Sequence, residues 1–100
     1  MRVNSNDIKA IKDIAKAVFG ETATIRLFGS RTDDKKKGGD IDLLIQHNQA
    51  ISGNEQYQLK ILFLVQLKKI IGDQKIDVII DNGQQNNYIF HEAYKEGILL

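Results

Sequence analysis

The chain has 100 residues, of which 42% are hydrophobic and 27% charged, a composition typical of a globular domain rather than of a disordered or membrane-embedded chain. The formal net charge of +1 disfavours direct nucleic-acid binding, and the absence of cysteine excludes disulfides and thiolate metal sites. The N-terminus lacks a signal-peptide pattern and no segment is apolar enough to span a membrane, so we expect a single cytoplasmic domain over residues 1–100.

The first predicted element is an amphipathic helix. Apolar residues recur at helical spacing from Ile8 to Phe19. Ser5 or Asn6 can cap the N-terminus of this helix, because short polar side chains accept hydrogen bonds from the first free amides. Gly20 ends the pattern, as glycine commonly does at a helix C-terminus. We therefore expect the helix to occupy most of the first twenty residues.

Two predicted strands follow, separated by a polar loop. Residues 23–28 are rich in β-forming residues, and Gly29 and Ser30 break the pattern at a turn that we expect to open a short helix. Residues 31–39 are polar and charged. Residues 40–45 then form a second strand whose apolar end is predicted to be buried on both faces. The loop between the strands is where we expect substrate access.

The second half of the chain predicts a long helix, a strand and a short helix. Residues 54–71 are apolar over a length that favours a helix, which ends at Gly72. Residues 75–80 predict a third strand, stopped by residues 81–83, and residues 87–96 predict the last helix. The expected order is αβ(α)βαβα, an α/β (α+β) fold in which helices pack on a small mixed sheet of three strands.

Three acidic residues predict a metal site. Asp40 and Asp42 are two positions apart on one strand, so their side chains leave the same face with Cα atoms roughly 6.5 to 7 Å apart. Asp77 interrupts the apolar third strand and can join the pair if the two strands are neighbours. Mg²⁺ is usually held by one or two carboxylates together with phosphates and water, so these residues indicate a phosphoryl substrate.

The turn after the first strand predicts a phosphate-binding site. Gly29 lets the backbone approach an anion closely, and Ser30 supplies a hydroxyl and an amide. Arg31 can add positive charge, while Gly39 belongs to a flexible glycine pair where solvent and substrate have access to the acidic residues. Taken alone, a Gly-Ser dipeptide is usually only a turn and a pair of aspartates two apart is common, so the argument rests on their combination.

Other polar and aromatic residues receive no catalytic role. His47 and His91 are far apart in the sequence, and neither is assigned as a ligand or base. Tyr57, Tyr88 and Tyr94 lie among helical apolar positions and are interpreted as packing groups.

Three segments together resemble the minimal nucleotidyltransferase family of the DNA polymerase β superfamily. They are Leu27-Phe28-Gly29-Ser30-Arg31, Gly39-Asp40-Ile41-Asp42-Leu43 and Lys75-Ile76-Asp77-Val78. The resemblance implies a nucleotidyltransferase fold in which residues like Gly29 and Ser30 hold NTP phosphates and residues like Asp40 and Asp42 bind Mg²⁺. It also implies that a carboxylate like Asp77 completes the metal site and helps to activate the nucleophile. The expected reaction moves a nucleoside monophosphate, AMP in the first instance, from an NTP such as ATP to an acceptor hydroxyl.

The same resemblance implies a partner. Many similar proteins are antitoxins paired with a helical HEPN-domain ribonuclease toxin, which they silence by adding AMP to a tyrosine. Two features of this chain agree: it is short for a protein with its own acceptor-binding domain, and the helix over residues 54–71 has more apolar surface than one core face needs. We therefore expect a homodimer or a hetero-oligomer. The alternative is an NTP-binding module that neutralises its partner without turnover, but three metal-competent acids favour an enzyme.

Overall fold

The computed structural model describes residues 3–29, 41–72, 74–82 and 94–100. In this part of the chain the elements are, in order, helix α1 (Ser5–Phe19), strand β1 (Thr24–Phe28), strand β2 (Ile41–Gln46), helix α2 (Gly53–Ile71), strand β3 (Ile76–Asp81) and strand β4 (Ile98–Leu99). Residues 94–96 are also helical. The short helix predicted after Ser30 and most of the last predicted helix lie outside the described residues.

Both long helices begin at polar caps. The predicted start of α1 is slightly late: Asn4, rather than Ser5 or Asn6, is the cap, and its side chain accepts a hydrogen bond of 2.8 Å from the backbone N–H of Asp7. Ser52 caps α2 in the same way through the amide of Glu55, at 3.1 Å. In each case the cap satisfies an amide of the first turn that has no partner inside the helix.

The sheet is mixed, as predicted, but the described residues form four strands of it rather than three. Their order is β3-β2-β1-β4, in which β1 pairs antiparallel with β2 and β4, and β2 pairs parallel with β3. The additional strand is formed by Ile98 and Leu99, which pair with Leu27 and Arg26. Two residues are too few to show the alternation by which a strand is predicted, so β4 exists only through its pairing with β1.

One face of the sheet is covered by the two helices. The alternating side chains of the strands pack there against α1 and α2. The completely or almost completely buried members of this core are Ile11, Ala15, Phe19, Ile25, Leu27, Ile41, Leu43, Ile45, Phe63 and Leu67. The intervening strand residues must therefore point to the opposite face, which we call the open face. In β2 these residues are Asp42, Leu44 and Gln46, and in β3 they are Asp77, Ile79 and Asp81.

His47 is part of the packed core. It is 2% exposed, and its ring stacks on Phe19 with 5.6 Å between the ring centroids. The backbone N–H of Gln49 donates to Nδ1 at 3.1 Å, and Nε2 lies 3.3 Å from Oε1 of Gln56. In the neutral ring Nε2 therefore carries the proton. These contacts give His47 a structural role.

No helix in the described ranges has the length and apolar character needed to cross a bilayer.

Candidate functional site

The candidate site lies at the end of the sheet where β1 ends and where β2 and β3 begin. Phe28, Asp42 and Asp77 form one row across these strands, because Asp42 pairs with Phe28 on one side and with Asp77 on the other. Neighbouring strands are about 4.8 Å apart, and residues in register point to the same face. The structure thus brings the two carboxylates side by side on the open face.

The two carboxylates differ in exposure. Asp42 is half-buried, because β2 is flanked by β1 and β3, whereas Asp77 is exposed on the outermost of these three strands. Asp77 was predicted to interrupt an apolar strand. Its neighbours Ile76 and Val78 are indeed buried, but Asp77 itself points to the open face. Like charges on neighbouring strands repel each other, so a cation bound between these acids would reduce that repulsion.

Gly29 brings the backbone directly against Asp42. It follows the last residue of β1 and has φ 77°, in the left-handed region that glycine adopts without strain. A Cβ atom at this position would overlap Oδ2 of Asp42 and would lie 3.1 Å from Cγ of Asp42. Glycine is therefore required at this turn both for its backbone conformation and for the close approach to the carboxylate.

The donor set fits a hard divalent cation. Both side chains of the pair offer oxygen atoms, which Mg²⁺ prefers, and Mg²⁺ completes its coordination with water and substrate phosphates. The carboxylate of Asp42 occupies the space that a Cβ at residue 29 would need, so its oxygen atoms lie directly beside the turn. The described part of the chain contains no group of three or more histidine, aspartate or glutamate side chains placed to hold a metal ion. Within it, the candidate metal centre is the pair alone.

Of the residues predicted for the site, Gly29, Asp42 and Asp77 are brought together by the structure. Asp40, the third predicted metal ligand, lies outside the described residues. Ser30, Arg31 and Gly39, which were assigned to the nucleotide, lie outside them as well. These assignments remain predictions from the sequence.

A polar contact on the open face was missed by the sequence analysis. The hydroxyl of Tyr94 donates to Oδ2 of Asp81 at 2.7 Å, and the guanidinium carbon of Arg26 lies 4.8 Å from the centroid of the Tyr94 ring. Asp81, which was predicted to stop β3, is its last residue and is buried. The two-residue spacing of Asp77, Ile79 and Asp81 within a strand was the signal that could have placed them on one face.

Tyr94 also closes an apolar cluster on the open face. Leu44 is 1% exposed, and Phe28, Ile79 and Tyr94 pack against it. The interpretation of Tyr94 as a packing group is therefore correct but incomplete, since its hydroxyl also anchors the C-terminal segment to β3 through Asp81. The segment that carries β4 is thus held next to the row that contains Asp42.

The Tyr94 contact predicts a pH dependence. Burial, the hydrogen bond to Asp81 and the negative charge of Asp81 together raise the pKa of Tyr94 to about 12, and the charge of Arg26 opposes them. Because the folded-state pKa exceeds the ordinary value of 10.0, the stability that this phenol contributes is complete below pH 10. It is lost as the pH rises from there towards 12.

We expect a phenolate absorbance titration of the folded protein to show one tyrosine ionising near pH 12, and the Tyr94→Phe variant to lack this phase. The free energy of unfolding of the variant should also fall less steeply above pH 10 than that of the wild type. Identical titrations of the two proteins would contradict the buried hydrogen bond to Asp81.

Comparison with known proteins identifies the family to which the chain is similar. The family described as polymerase beta, nucleotidyltransferase, matches residues 9–100 of this chain. The match includes every residue of the candidate site. No curated protein matches the sequence.

Proposed function

This chain belongs to the polymerase beta nucleotidyltransferase family, and from that premise we propose that it transfers AMP from ATP to a hydroxyl group of a protein acceptor in a Mg²⁺-dependent reaction. One observation carries the proposal: Asp42 and Asp77 are in register on neighbouring strands, and the backbone of Gly29 is pressed against Asp42. A turn that approaches two adjacent carboxylates is suited to bringing a triphosphate to a metal-binding pair.

The acidic residues have the first role in this proposal. Asp42 and Asp77 hold Mg²⁺, and Asp40 joins them on the strength of the sequence. When bound, the cation neutralises negative charge on the phosphate oxygens and fixes their orientation. Asp42 is half-buried and held beside Gly29, so it is suited to be a fixed ligand. Asp77 is exposed, so it is open to an incoming acceptor.

The turn after β1 has the second role. We assign Gly29, Ser30, Arg31 and Gly39 to the nucleotide. Backbone amides and a hydroxyl bind phosphate oxygens well because they donate hydrogen bonds without adding bulk, and arginine pairs with phosphate through two parallel hydrogen bonds. In this assignment Gly29, with its positive φ, ends β1 beside Asp42.

The reaction requires one bond to form and one to break. The acceptor oxygen attacks the α-phosphorus of ATP, and the bond between that phosphorus and the oxygen bridging to the β-phosphate breaks. AMP is then joined to the acceptor, and pyrophosphate leaves with the bonding electron pair. The hydroxyl proton is accepted by Asp77. A base is needed because a phenol with a pKa near 10 or an aliphatic hydroxyl is a weak nucleophile at neutral pH.

For the acceptor we propose a tyrosine on a separate helical protein of the HEPN type, whose ribonuclease activity the modification silences. The resemblance of the motifs to antitoxins of this kind supports it. The exposure of Asp77 at the open face agrees with an acceptor that is presented from outside this chain.

The Asp77→Asn variant tests the proposal on the reconstituted pair. We expect transfer of labelled AMP to the partner to fall by about 10²-fold or more, the effect of losing a positioned base, while ATP binding stays within a few-fold of the wild type. The matched control is Asp13→Asn, the same change at an exposed position of α1 on the other side of the sheet. It should retain full transfer.

The outcomes separate the roles. Near-normal transfer by Asp77→Asn excludes Asp77 as a base or essential ligand, and equal loss of binding and transfer makes it a ligand alone. If the wild-type protein binds ATP with Mg²⁺ but transfers AMP to no acceptor, it is not an enzyme. It is then a binding module that neutralises its partner by occupying the partner's surface.

A further inference from the structure

The outer face of α2, defined here as Tyr57, Ile61, Leu62 and Val65, is apolar and open to solvent. These four side chains are 61%, 43%, 44% and 48% exposed. Residues four positions apart lie on the same side of a helix, so Tyr57, Ile61 and Val65 form one stripe, with Leu62 beside it. An exposed apolar surface of this kind on a small domain indicates a binding face.

This face points away from the candidate site. Phe63 and Leu67, on the opposite side of α2, are completely buried in the core beneath the sheet. Asp42 and Asp77 lie on the open face, beyond the sheet. Next to the outer face, an open groove of about 350 Å³ separates α1 from α2. The groove is lined by Asp13, Ile14, Ala17, Val18, Leu62 and Gln66.

We propose that the outer face of α2 binds the same face of a second copy of this chain, with the two helices antiparallel and the two-fold axis between Ile61 and Leu62. This centre is the middle of the apolar surface. In such a pair Ile61 lies level with Leu62 of the second copy, and Leu62 forms one wall of the groove. The Leu62 side chains of the two copies therefore meet beside the grooves, with Ile61 in the middle of the interface.

The charges at the two ends of α2 favour antiparallel pairing with a second copy. Glu55 lies in the first turn, Lys68 and Lys69 lie in the last turn, and all three are exposed. About the proposed axis, Glu55 of one copy lies on the same flank as Lys69 of the other and within one residue of its level, and symmetry produces the contact twice. A parallel pair would instead place Glu55 beside Glu55 and lysine beside lysine, which repel each other.

The arrangement leaves both candidate sites free. Each open face points outward from the dimer, so nucleotide and acceptor reach Asp42 and Asp77 without displacing the second copy. The inference rests on α2 alone and does not depend on the transferase reaction.

Sedimentation of the wild-type chain over a range of concentrations tests the proposal. We expect a monomer–dimer equilibrium that Ile61→Lys weakens by about 100-fold, because two buried isoleucines are lost per dimer. The matched control is Ile70→Lys, which introduces the same charge at a 63% exposed position on a different side of α2. It should dimerise like the wild type. Circular dichroism melts establish that each variant is folded.

A charge exchange tests the orientation. Glu55→Lys and Lys69→Glu should each weaken dimerisation by about tenfold, whereas the double variant should recover the wild-type dissociation constant to within about threefold. A wild-type chain that remains monomeric at its highest soluble concentration would overturn the proposal. The proposal would also be overturned if the double variant did not recover the wild-type dissociation constant. The same holds if the outer face of α2 bound only a different protein.

Discussion

We expect the Asp42→Asn variant to retain its fold and to lose about 10³-fold in transfer rate, which corresponds to roughly 4 kcal/mol of transition-state stabilisation. The substitution keeps the size of the side chain, so the close packing against Gly29 is preserved while the negative charge is removed. Asp42 is in register with Asp77, and the change removes one member of a like-charged pair. A cooperative melting curve without metal establishes that the variant is folded.

Ligand-induced stabilisation provides a readout besides activity. Mg²⁺ with ATP should raise the melting temperature of the wild type by mass action, and the Asp42→Asn variant should show little of this rise at the same concentrations. Calorimetry on both proteins measures the same loss directly. A variant that transfers AMP at the wild-type rate, or that is stabilised equally by Mg²⁺ and ATP, would remove Asp42 from the metal site.

The overall fold could be predicted because its long elements carry strong patterns. The apolar spacing of α1, the length of the apolar segment of α2 and the glycines that end both helices gave boundaries within a few residues of the observed ones. The same holds for β1, β2 and β3, whose predicted limits shift by about one residue. Local signals of this kind depend only on residues that are close in sequence.

The fourth strand and the Asp81 contact could not be predicted in the same way. β4 consists of Ile98 and Leu99, and its existence depends on backbone pairing with β1, more than seventy positions earlier. Asp81 resembled a residue that stops a strand because aspartate is depleted from strands. Its side chain is instead buried, and Tyr94 donates a hydrogen bond to it. Tertiary contacts override local preference in both cases.

The candidate site was predictable in part. The sequence established that Asp42 belongs to a strand and that Asp77 belongs to another, but their contact depended on which strands are neighbours. The parallel pairing of β2 with β3 supplies that condition and places the two aspartates opposite each other. The interpretation of Tyr57 as a packing group was wrong, since its side chain is 61% exposed. Helical periodicity gives the spacing of apolar residues but not which side of the helix is covered.

We expect Gly29→Ala to be as damaging to activity as the loss of a metal ligand, with transfer reduced by about 10³-fold. An alanine Cβ would overlap the carboxylate of Asp42, so either the turn or Asp42 must move. The backbone of residue 29 cannot shift without also moving the start of the segment assigned to the triphosphate. The left-handed φ of 77° adds a strain of about 1 to 2 kcal/mol for alanine, which lowers the free energy of unfolding.

Substitutions at two other glycines distinguish the effect of the steric clash with Asp42 from the effect of backbone strain. Gly72→Ala faces a similar backbone conformation, with φ 85°, but nothing lies within 4 Å of its Cβ position, so it should lose comparable stability and keep full transfer activity. Gly53→Ala has neither a positive φ nor a neighbouring atom, and should preserve both. Transfer assays and denaturant unfolding on the three variants make the comparison. If Gly29→Ala loses no more activity than Gly72→Ala, the contact between Gly29 and Asp42 is not part of the catalytic site, and the turn after β1 serves only to end the strand.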